Sequence, residues 1–167
     1  MARSNRSLAP TKILKTLLVR SWIAFDPGAS GAMCILFEDD SVTFVDFKSA
    51  GIPGYVNLCR TISPEAIAIE QVYSRTGQGV KSVFSFGQRF GELEGMLQTL
   101  SLPYTTVLPQ RWQKFCGVVS KSGKPGVYTA ISSLYPEAPL LGSRGGLIDG
   151  RCDALGIAHY LRFNTPS

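Results

Sequence analysis

A chain of 167 residues suits a single domain, and a hydrophobic content of 44% is ordinary for a globular protein. No apolar run approaches the roughly 18 residues that span a bilayer, so we expect no membrane segment. The four cysteines form no C-x-x-C pair and accompany a single histidine, which argues against a structural zinc site and favours buried, reduced thiols.

The charge of the chain is unevenly distributed. The net charge of +5 equals the five bases of residues 1–20, a stretch without acids. Residues 21–70 hold seven acids and two bases, whereas residues 71–124 hold seven bases and two acids. A cation site beside a polyanion groove requires such a distribution, although an ordinary solvated surface also explains it. Residues 1–20 read as a nucleic-acid-binding arm, an organellar leader or an extraneous remnant ahead of a domain over 21–167.

The first part of the chain predicts an antiparallel meander of three strands. Pro27 and Gly28 end the first strand, and an acidic turn at 38–40 separates the second strand from the third. A short helix follows, and then an apolar strand that is typical of the buried centre of a sheet. The predicted bounds are 21–26, 32–38 and 41–48 for the meander, 53–62 for the helix and 65–72 for the fourth strand.

A long helix over 79–100 follows, with apolar residues in a three-four repeat. On another face, Gly87, Gly91 and Gly95 recur every four residues, and each costs roughly 1 kcal/mol against alanine in a helix. We expect that these glycines allow another backbone to approach closely. That backbone belongs either to the sheet of the same chain or to a second subunit, and both faces of the helix could be in use.

The remaining elements complete an α/β pattern. Three meandering strands followed by two strands that each come after a helix predict a mixed sheet with helices on both faces. His159, in the last helix, is expected to pack between helix and sheet. The predicted bounds are 104–109 for the fifth strand and 110–116, 124–134 and 149–162 for the last three helices.

Four acids stand where this fold brings them together. Asp26 ends the first strand and Glu70 ends the fourth. If these strands are adjacent and parallel, both acids emerge at one edge of the sheet, where α/β sheets hold ligands. Asp149 and Asp153 are four residues apart, about one turn, and therefore project from the same face of the last helix.

Such a cluster requires a cation. Two unit charges 4 Å apart repel by roughly 4 kcal/mol at an effective dielectric of 20, and a divalent metal removes that cost. Oxygen ligands without nearby His or Cys favour Mg²⁺ or Mn²⁺, and two such ions promote phosphodiester hydrolysis. Each acid also has a simpler interpretation. Asp26 could be a turn residue, Asp149 an N-cap and Asp153 the partner of a nearby base, and a carboxylate at Glu70 could be paired within the chain.

The acidic motifs resemble those of RuvC-type Holliday junction resolvases, in the retroviral-integrase/RNase H superfamily. They read IAFDPGASGAM from 23, AIAIEQVYSRTGQGVKSVFSFGQRFGELEGML from 66 and DGRCDALGIAHYL from 149. The resemblance implies an RNase H-like five-stranded mixed sheet in the order 3-2-1-4-5 and a homodimer. It also implies that Asp26, Glu70, Asp149 and Asp153 bind two Mg²⁺ ions. Bacterial members typically space the last two acids by three residues, so the spacing of four is closer to the phage and plastid branches.

The resemblance also implies roles for aromatic and basic residues. Tyr73 falls where the family places an aromatic at the junction centre, and Lys114 where it carries a base near the scissile phosphate. Lys121 and Lys124 compete for a second basic position. An ordinary strand-end tyrosine and solvated lysines remain the alternatives. Contacts with backbone phosphates are expected from a further set of bases, namely Arg75, Lys81, Arg89 and Arg111.

The function expected from the resemblance is Mg²⁺-dependent cutting of four-way DNA junctions by paired symmetric nicks. The alternatives are a broader nuclease for flaps and Y-forks, or a junction-binding module without catalysis. A phosphotransferase of the actin/sugar-kinase type also has an Asp-x-Gly turn, but it requires two such domains, for which 167 residues are too few. The expected location is a bacterial or phage-infected cytoplasm, or an organelle if residues 1–20 are a leader.

Overall fold

The fold is built on one sheet of five strands. The computed structural model describes residues 19–71 and 79–165, so the predicted N-terminal arm lies outside the described residues except for its last two positions. The strands pair in the order β3-β2-β1-β4-β5. The first three form the antiparallel meander, and β4 and β5 are parallel to β1, which confirms the predicted mixed sheet and its order. Their bounds are Ser21–Phe25, Ala32–Phe37, Val42–Asp46, Ala66–Glu70 and Thr105–Val107 for β1 to β5.

Helices cover the sheet. In the described residues, α1 to α5 span Phe47–Cys59, Val80–Thr99, Pro109–Phe115, Gly123–Leu134 and Asp149–Asn164. The last four helices lie close to their predicted bounds. Two helical segments joined by a kink at Gly51 make up α1: the second lies where the helix was predicted, and the first begins at Phe47, where a strand was predicted to continue. The apolar alternation runs past the end of β3, whereas the backbone turns at Gly51, whose φ of 59° interrupts α1. Within the same residues, no helix is both long and apolar enough to cross a membrane.

The core has two layers because alternate residues of each strand point to opposite faces. On β1, Trp22 and Ala24 pack with α3, α4 and α5, whereas Ile23 and Phe25 pack with α1 and α2. Because helices cover both faces of the sheet at this point, β1 is buried along its whole length, which explains its continuous apolar run. The four cysteines are also buried and free, as the sequence predicted.

The glycines of α2 face away from the core. The helix buries Leu93 and Leu97 against the sheet, whereas a Cβ atom added at Gly87, Gly91 or Gly95 would meet nothing within 4 Å among the described residues. For the part of the chain that the structure describes, the interpretation that these glycines admit the sheet of the same chain is therefore wrong. The apolar three-four repeat faces the sheet instead, and a subunit interface on the glycine face remains a prediction.

Arg151 ties α5 to the edge of the sheet. Its Nε and Nη2 atoms donate to the two carboxylate oxygens of Asp46 at 2.8 and 2.7 Å, and its Nη1 atom donates to the carbonyl oxygen of Pro139 at 2.8 Å. The hydrogen bonds from Arg151 lower the pKa of Asp46 below its ordinary value of 3.8. The two-pronged bond joins residues 105 positions apart, so it fixes the last helix to β3.

Replacing Arg151 with methionine should destabilise the fold in a pH-dependent way. We expect a loss of about 1–2 kcal/mol in the free energy of unfolding at neutral pH, because both side chains are partly exposed and water weakens the pair. Since the pKa of Asp46 is lowered by folding, the stabilisation is present above 3.8 and is lost as the pH falls through the folded value. Urea unfolding of both chains at neutral pH and at about pH 2.5 measures the loss of unfolding free energy and its dependence on pH.

The matched control is Arg144→Met, which removes an exposed arginine from the loop before α5. This control should leave the unfolding free energy within about 0.5 kcal/mol at either pH. An equal loss for Arg151→Met at both pH values would show that packing and the bond to the Pro139 carbonyl, and not the ion pair with Asp46, account for the destabilisation.

Candidate active site

Two acids meet at the carboxyl edge of the central strands. Because β1 and β4 are parallel, with Phe25 opposite Ile69, the next residues Asp26 and Glu70 come to the same level of the sheet. Both are buried, with exposed fractions of 9% and 8%. Bare carboxylates are costly at such burial, so each needs a donor or a cation.

The turn after β1 shapes the Asp26 carboxylate. The backbone N–H of Gly28 donates to its Oδ1 atom at 2.9 Å, which is the local bond of an Asx turn. Burial raises the pKa of Asp26 to about 6, the Gly28 bond opposes this rise, and the charge of Asp149 adds to it. Asp26 is therefore more than a turn residue, because it interacts electrostatically with an acid of the last helix.

The last helix begins directly against this turn. A Cβ atom added at Gly150 would lie 2.1 Å from the carbonyl oxygen of Ser30 and 3.0 Å from the Oδ2 atom of Asp26, so only glycine fits there. The N-cap of α5 is Ile148, and no side chain makes a capping hydrogen bond. The interpretation of Asp149 as an N-cap is therefore wrong. Asp149 is the first residue inside the helix, and its carboxylate accepts a hydrogen bond from Lys124.

Asp153 completes the group one turn later. It interacts electrostatically with Asp26, Glu70 and Asp149, in decreasing order of strength. Burial, followed by these three negative charges, raises the pKa of Asp153 well above its ordinary value of 3.8. The structure therefore brings all four predicted acids to one edge of the sheet.

One lysine reaches this group from α4. The ammonium group of Lys124 donates to the Oδ2 atom of Asp149, and it is also attracted by Asp153 and Asp26. The hydrogen bond to Asp149 raises the pKa of Lys124 above its ordinary value. Lys121 lies in the exposed turn before α4, with a φ of 62°. Of the two lysines that compete for the second basic position, the structure therefore places Lys124 against the acids.

A tryptophan that the sequence analysis did not single out holds Glu70. The Nε1 atom of Trp112, on α3, donates to the Oε1 atom of Glu70 at 2.9 Å. Trp112 is fully buried, and a buried indole N–H usually finds a hydrogen-bond partner, which is the signal that could have identified it. Lys114 follows two residues later, about 200° around the helix, and is exposed. Its contact with the scissile phosphate stays a prediction.

The other predicted DNA contacts are distributed over the surface. Lys81 is exposed in the first turn of α2, and Arg111 lines a small cleft beside β5 and the last turns of α5. Arg89 is engaged within the chain, since it pairs with Glu92 at 3.0 Å and its guanidinium carbon lies 3.1 Å from the centre of the Phe47 ring. Contacts of these three bases with phosphates remain predictions. Two further predicted contacts lie outside the described residues, namely Tyr73 and Arg75.

His159 is placed differently from the expectation. Its Nδ1 atom shares a hydrogen bond of 2.7 Å with the Tyr135 hydroxyl, and its ring lies 5.5 Å from that of Phe115. The histidine therefore packs among helices rather than between helix and sheet, because its position on α5 faces α3 and the end of α4. Burial lowers its pKa below the ordinary value of 6.5.

The donor chemistry of the four acids fits a hard divalent cation. Cys152, between the two helical acids, is buried in the core, so the four acids offer carboxylate oxygens, which hard divalent cations prefer. In residues 19–71 and 79–165, however, no three or more His, Cys, Asp or Glu side chains are already arranged to hold a metal ion. In the arrangement described here, the positive charge beside Asp149 is the Lys124 ammonium group. An open cleft of about 410 Å³ adjoins Asp149 and is lined by Ser30, Lys48 and Ile148 among others.

The fold is that of RuvC-type resolvases. No protein-family model and no curated protein sequence matches the chain. Among solved structures, Thermus thermophilus RuvC in complex with a Holliday junction substrate is similar, with a TM-score of 0.59 and 14% identity over 87% of this chain and 97% of that one. Another structure of T. thermophilus RuvC has a TM-score of 0.56 and 17% identity over the same shares. The yeast mitochondrial Holliday junction resolvase Ydc2 has a TM-score of 0.50 and 15% identity, over 92% of this chain and 86% of that one.

Substituting Gly150 with alanine should destabilise the protein. Alanine improves helix propensity by roughly 1 kcal/mol, but its Cβ atom would overlap a backbone carbonyl oxygen, and such overpacking costs typically about 1–3 kcal/mol. We expect a net loss in the urea unfolding free energy. Gly146→Ala is the matched control, because a Cβ atom there meets nothing within 4 Å in the described structure. If Gly150→Ala were as stable as the control variant, the first turn of α5 would not lie against the Asp26 turn.

Proposed function

We propose that this chain is a divalent-metal-dependent endonuclease that resolves four-way DNA junctions. The observation that carries the proposal is the convergence of Asp26, Glu70, Asp149 and Asp153 from two strands and one helix at one edge of the sheet. The fold, which is similar to that of junction resolvases, and the three acidic motifs support the same reaction. A second set of ligands such as His or Cys is not needed for this chemistry.

The four carboxylates would hold Mg²⁺, with Mn²⁺ as a substitute, and we propose two ions per site. When bound, such ions activate a water molecule and stabilise the oxygen that leaves the phosphodiester. The protein contributes the orientation of the acids, through the Gly28 N–H on Asp26 and the Trp112 indole on Glu70. Lys124 contributes an ammonium group at the same edge, where it can hold a phosphate oxygen and stabilise negative charge that develops on it.

The proposed DNA surface consists of bases on the helices and in the turn before α4. Lys124 lies closest to the acids, and the exposed Lys81, Lys114 and Lys121 extend the positive charge. Lysine contacts with phosphates position the duplex without reading its sequence. Tyr73 and Arg75 belong to the same proposal through the family resemblance, as a base-stacking residue and a phosphate contact.

A homodimer is proposed because α2 has an exposed face without a partner among the described residues. Val80, Phe84, Gly87, Gly91 and Gly95 lie within an arc of about 80° around the helix. Val80 and Phe84 are 86% and 72% exposed, which is unusual for two apolar side chains that are neighbours on one face of a helix. The three glycines would let a second copy of the helix approach closely. A two-fold dimer built on this face would carry two active sites, as paired symmetric nicks require.

Removing one carboxylate at a time should abolish cutting. In Asp153→Asn and Glu70→Gln the metal ligands are weakened while the surface charge for DNA is kept, so we expect a loss of cleavage by a factor of about 10³ or more with junction binding unchanged. Glu137→Gln, at an exposed acid in the loop after α4, is the matched control. Cleavage of a labelled four-way junction with Mg²⁺ or EDTA, beside a gel-shift titration, provides both readouts. Cleavage that survives either active-site substitution would refute the assignment.

The same assay separates the alternatives when linear, flap and Y-fork DNAs are included. Preferential nicking of the four-way junction at two symmetric sites supports resolution. Equal cutting of flaps and Y-forks would indicate the broader branched-DNA nuclease. Tight junction binding by the wild-type chain without any nicks in Mg²⁺ would indicate a binding module.

The dimer is tested by Gly91→Glu. In a two-fold interface each new carboxylate lies near its own copy, and like charges there cost several kcal/mol, so dimerisation should weaken by about tenfold or more. Ser85→Glu is the matched control. Ser85 is also exposed on α2, but it lies about 120° around the helix from Gly91 and therefore outside the glycine face. Sedimentation velocity measures the assembly. A wild-type chain that is monomeric and still makes paired nicks would rule the interface out.

A further inference from the structure

We propose that Trp112 is a positioning residue for the metal site: its indole N–H fixes the Glu70 carboxylate in the orientation that binds the divalent ion. This inference rests on the proposed function, because it assigns Trp112 a role only if Glu70 is a metal ligand. The two residues are 42 positions apart and belong to α3 and β4, so no local sequence motif connects them.

The contact itself is well formed. The Nε1 atom of Trp112 lies 2.9 Å from the Oε1 atom of Glu70, and both residues are buried, at 0% and 8% exposure. A hydrogen bond to a carboxylate in such surroundings is strong, and it selects one orientation of a side chain that otherwise rotates about three bonds. The bond occupies one carboxylate oxygen and thereby determines where the other can point.

The indole is itself held by the helix that carries the other two acids. A Cβ atom added at Gly156 would lie 2.5 Å from Cζ3 and 2.6 Å from Cε3 of Trp112, so the ring rests directly on the backbone of α5. Gly156 comes three residues after Asp153, on the same helix. Trp112 therefore sets the acid of β4 relative to the acids of α5, which a metal shared between these elements requires.

The second tryptophan shows that burial alone does not create this bond. Trp22 is also buried, at 3% exposure, yet among the described residues its Nε1 atom has no hydrogen-bond partner. Substitution of either tryptophan by phenylalanine removes an indole N–H and part of a buried ring. Only the substitution at Trp112 removes a donor from an acid of the site, so the two variants form a matched pair.

The experiment compares Mn²⁺ binding by the wild-type chain, Trp112→Phe and Trp22→Phe, with free Mn²⁺ measured by electron paramagnetic resonance. Loss of a residue that orients a metal ligand typically weakens metal binding by about 10–100-fold, so we expect at least a tenfold weaker affinity for Trp112→Phe. Trp22→Phe should bind Mn²⁺ within about twofold of the wild-type chain. Equal Mn²⁺ affinity in the wild-type chain and folded Trp112→Phe would overturn the inference.

The Mg²⁺ dependence of junction cutting distinguishes positioning from general damage. In Trp112→Phe the Mg²⁺ concentration for half-maximal cutting should rise by about tenfold, while the rate at saturating Mg²⁺ returns to within about threefold of the wild-type rate. A lower rate at all Mg²⁺ concentrations with unchanged half-saturation would contradict the inference. Circular dichroism and urea unfolding of both variants report on the fold.

If Trp112→Phe does not fold, the isosteric replacement Trp112→β-(3-benzothienyl)alanine in a Trp22→Phe chain keeps the ring shape and removes only the N–H. The same weakening of Mn²⁺ binding is then expected, and unchanged binding overturns the inference. Failure of the proposed function would give a different result, because the wild-type chain and Trp22→Phe would then neither bind Mn²⁺ nor cut the junction. That outcome removes the basis of this inference as well.

Discussion

The burial of neighbouring carboxylates at one edge of the sheet is the constraint on which the arrangement of this protein depends. The parallel pairing of β1 with β4 brings Asp26 and Glu70 to one level of the sheet, and α5 adds Asp149 and Asp153. At an effective dielectric of 20, each pair at 4 Å would cost roughly 4 kcal/mol. Burial is the larger cause of the raised pKa values of Asp26 and Asp153, the charges of the neighbouring carboxylates add to it, and the positive charge of Lys124 opposes it.

The scaffold answers this repulsion with donors from separate elements. A backbone N–H in the turn after β1 serves Asp26, the indole of Trp112 serves Glu70, and the ammonium group of Lys124 serves Asp149. These donors hold three of the four acids, and the charge of Lys124 also attracts the fourth, Asp153. The same donors would keep the carboxylates oriented for a divalent ion, which links the stability of this edge of the sheet to its proposed chemistry.

Much of the fold could be predicted because it follows from local patterns. Alternating and continuous apolar runs located the five strands, and the three-four repeat located α2, since both depend only on neighbouring residues. The helical segment of α1 before the kink at Gly51 was missed, because the strand pattern continues past Asp46, whereas the segment after the kink was predicted. The orientation of the α2 glycines was also open, since periodicity shows that a helix has two faces but not which one meets the sheet.

By itself, the sequence determined the order of the elements and the positions of the four acids, because strand ends and helical spacing are local properties. Only the tertiary structure decided what each acid touches. The bond from Trp112 to Glu70 joins residues 42 positions apart, and that from Lys124 to Asp149 joins residues 25 positions apart. Such pairs arise when separate elements pack onto one sheet, and their contacts depend on distances in space that spacing along the chain does not encode.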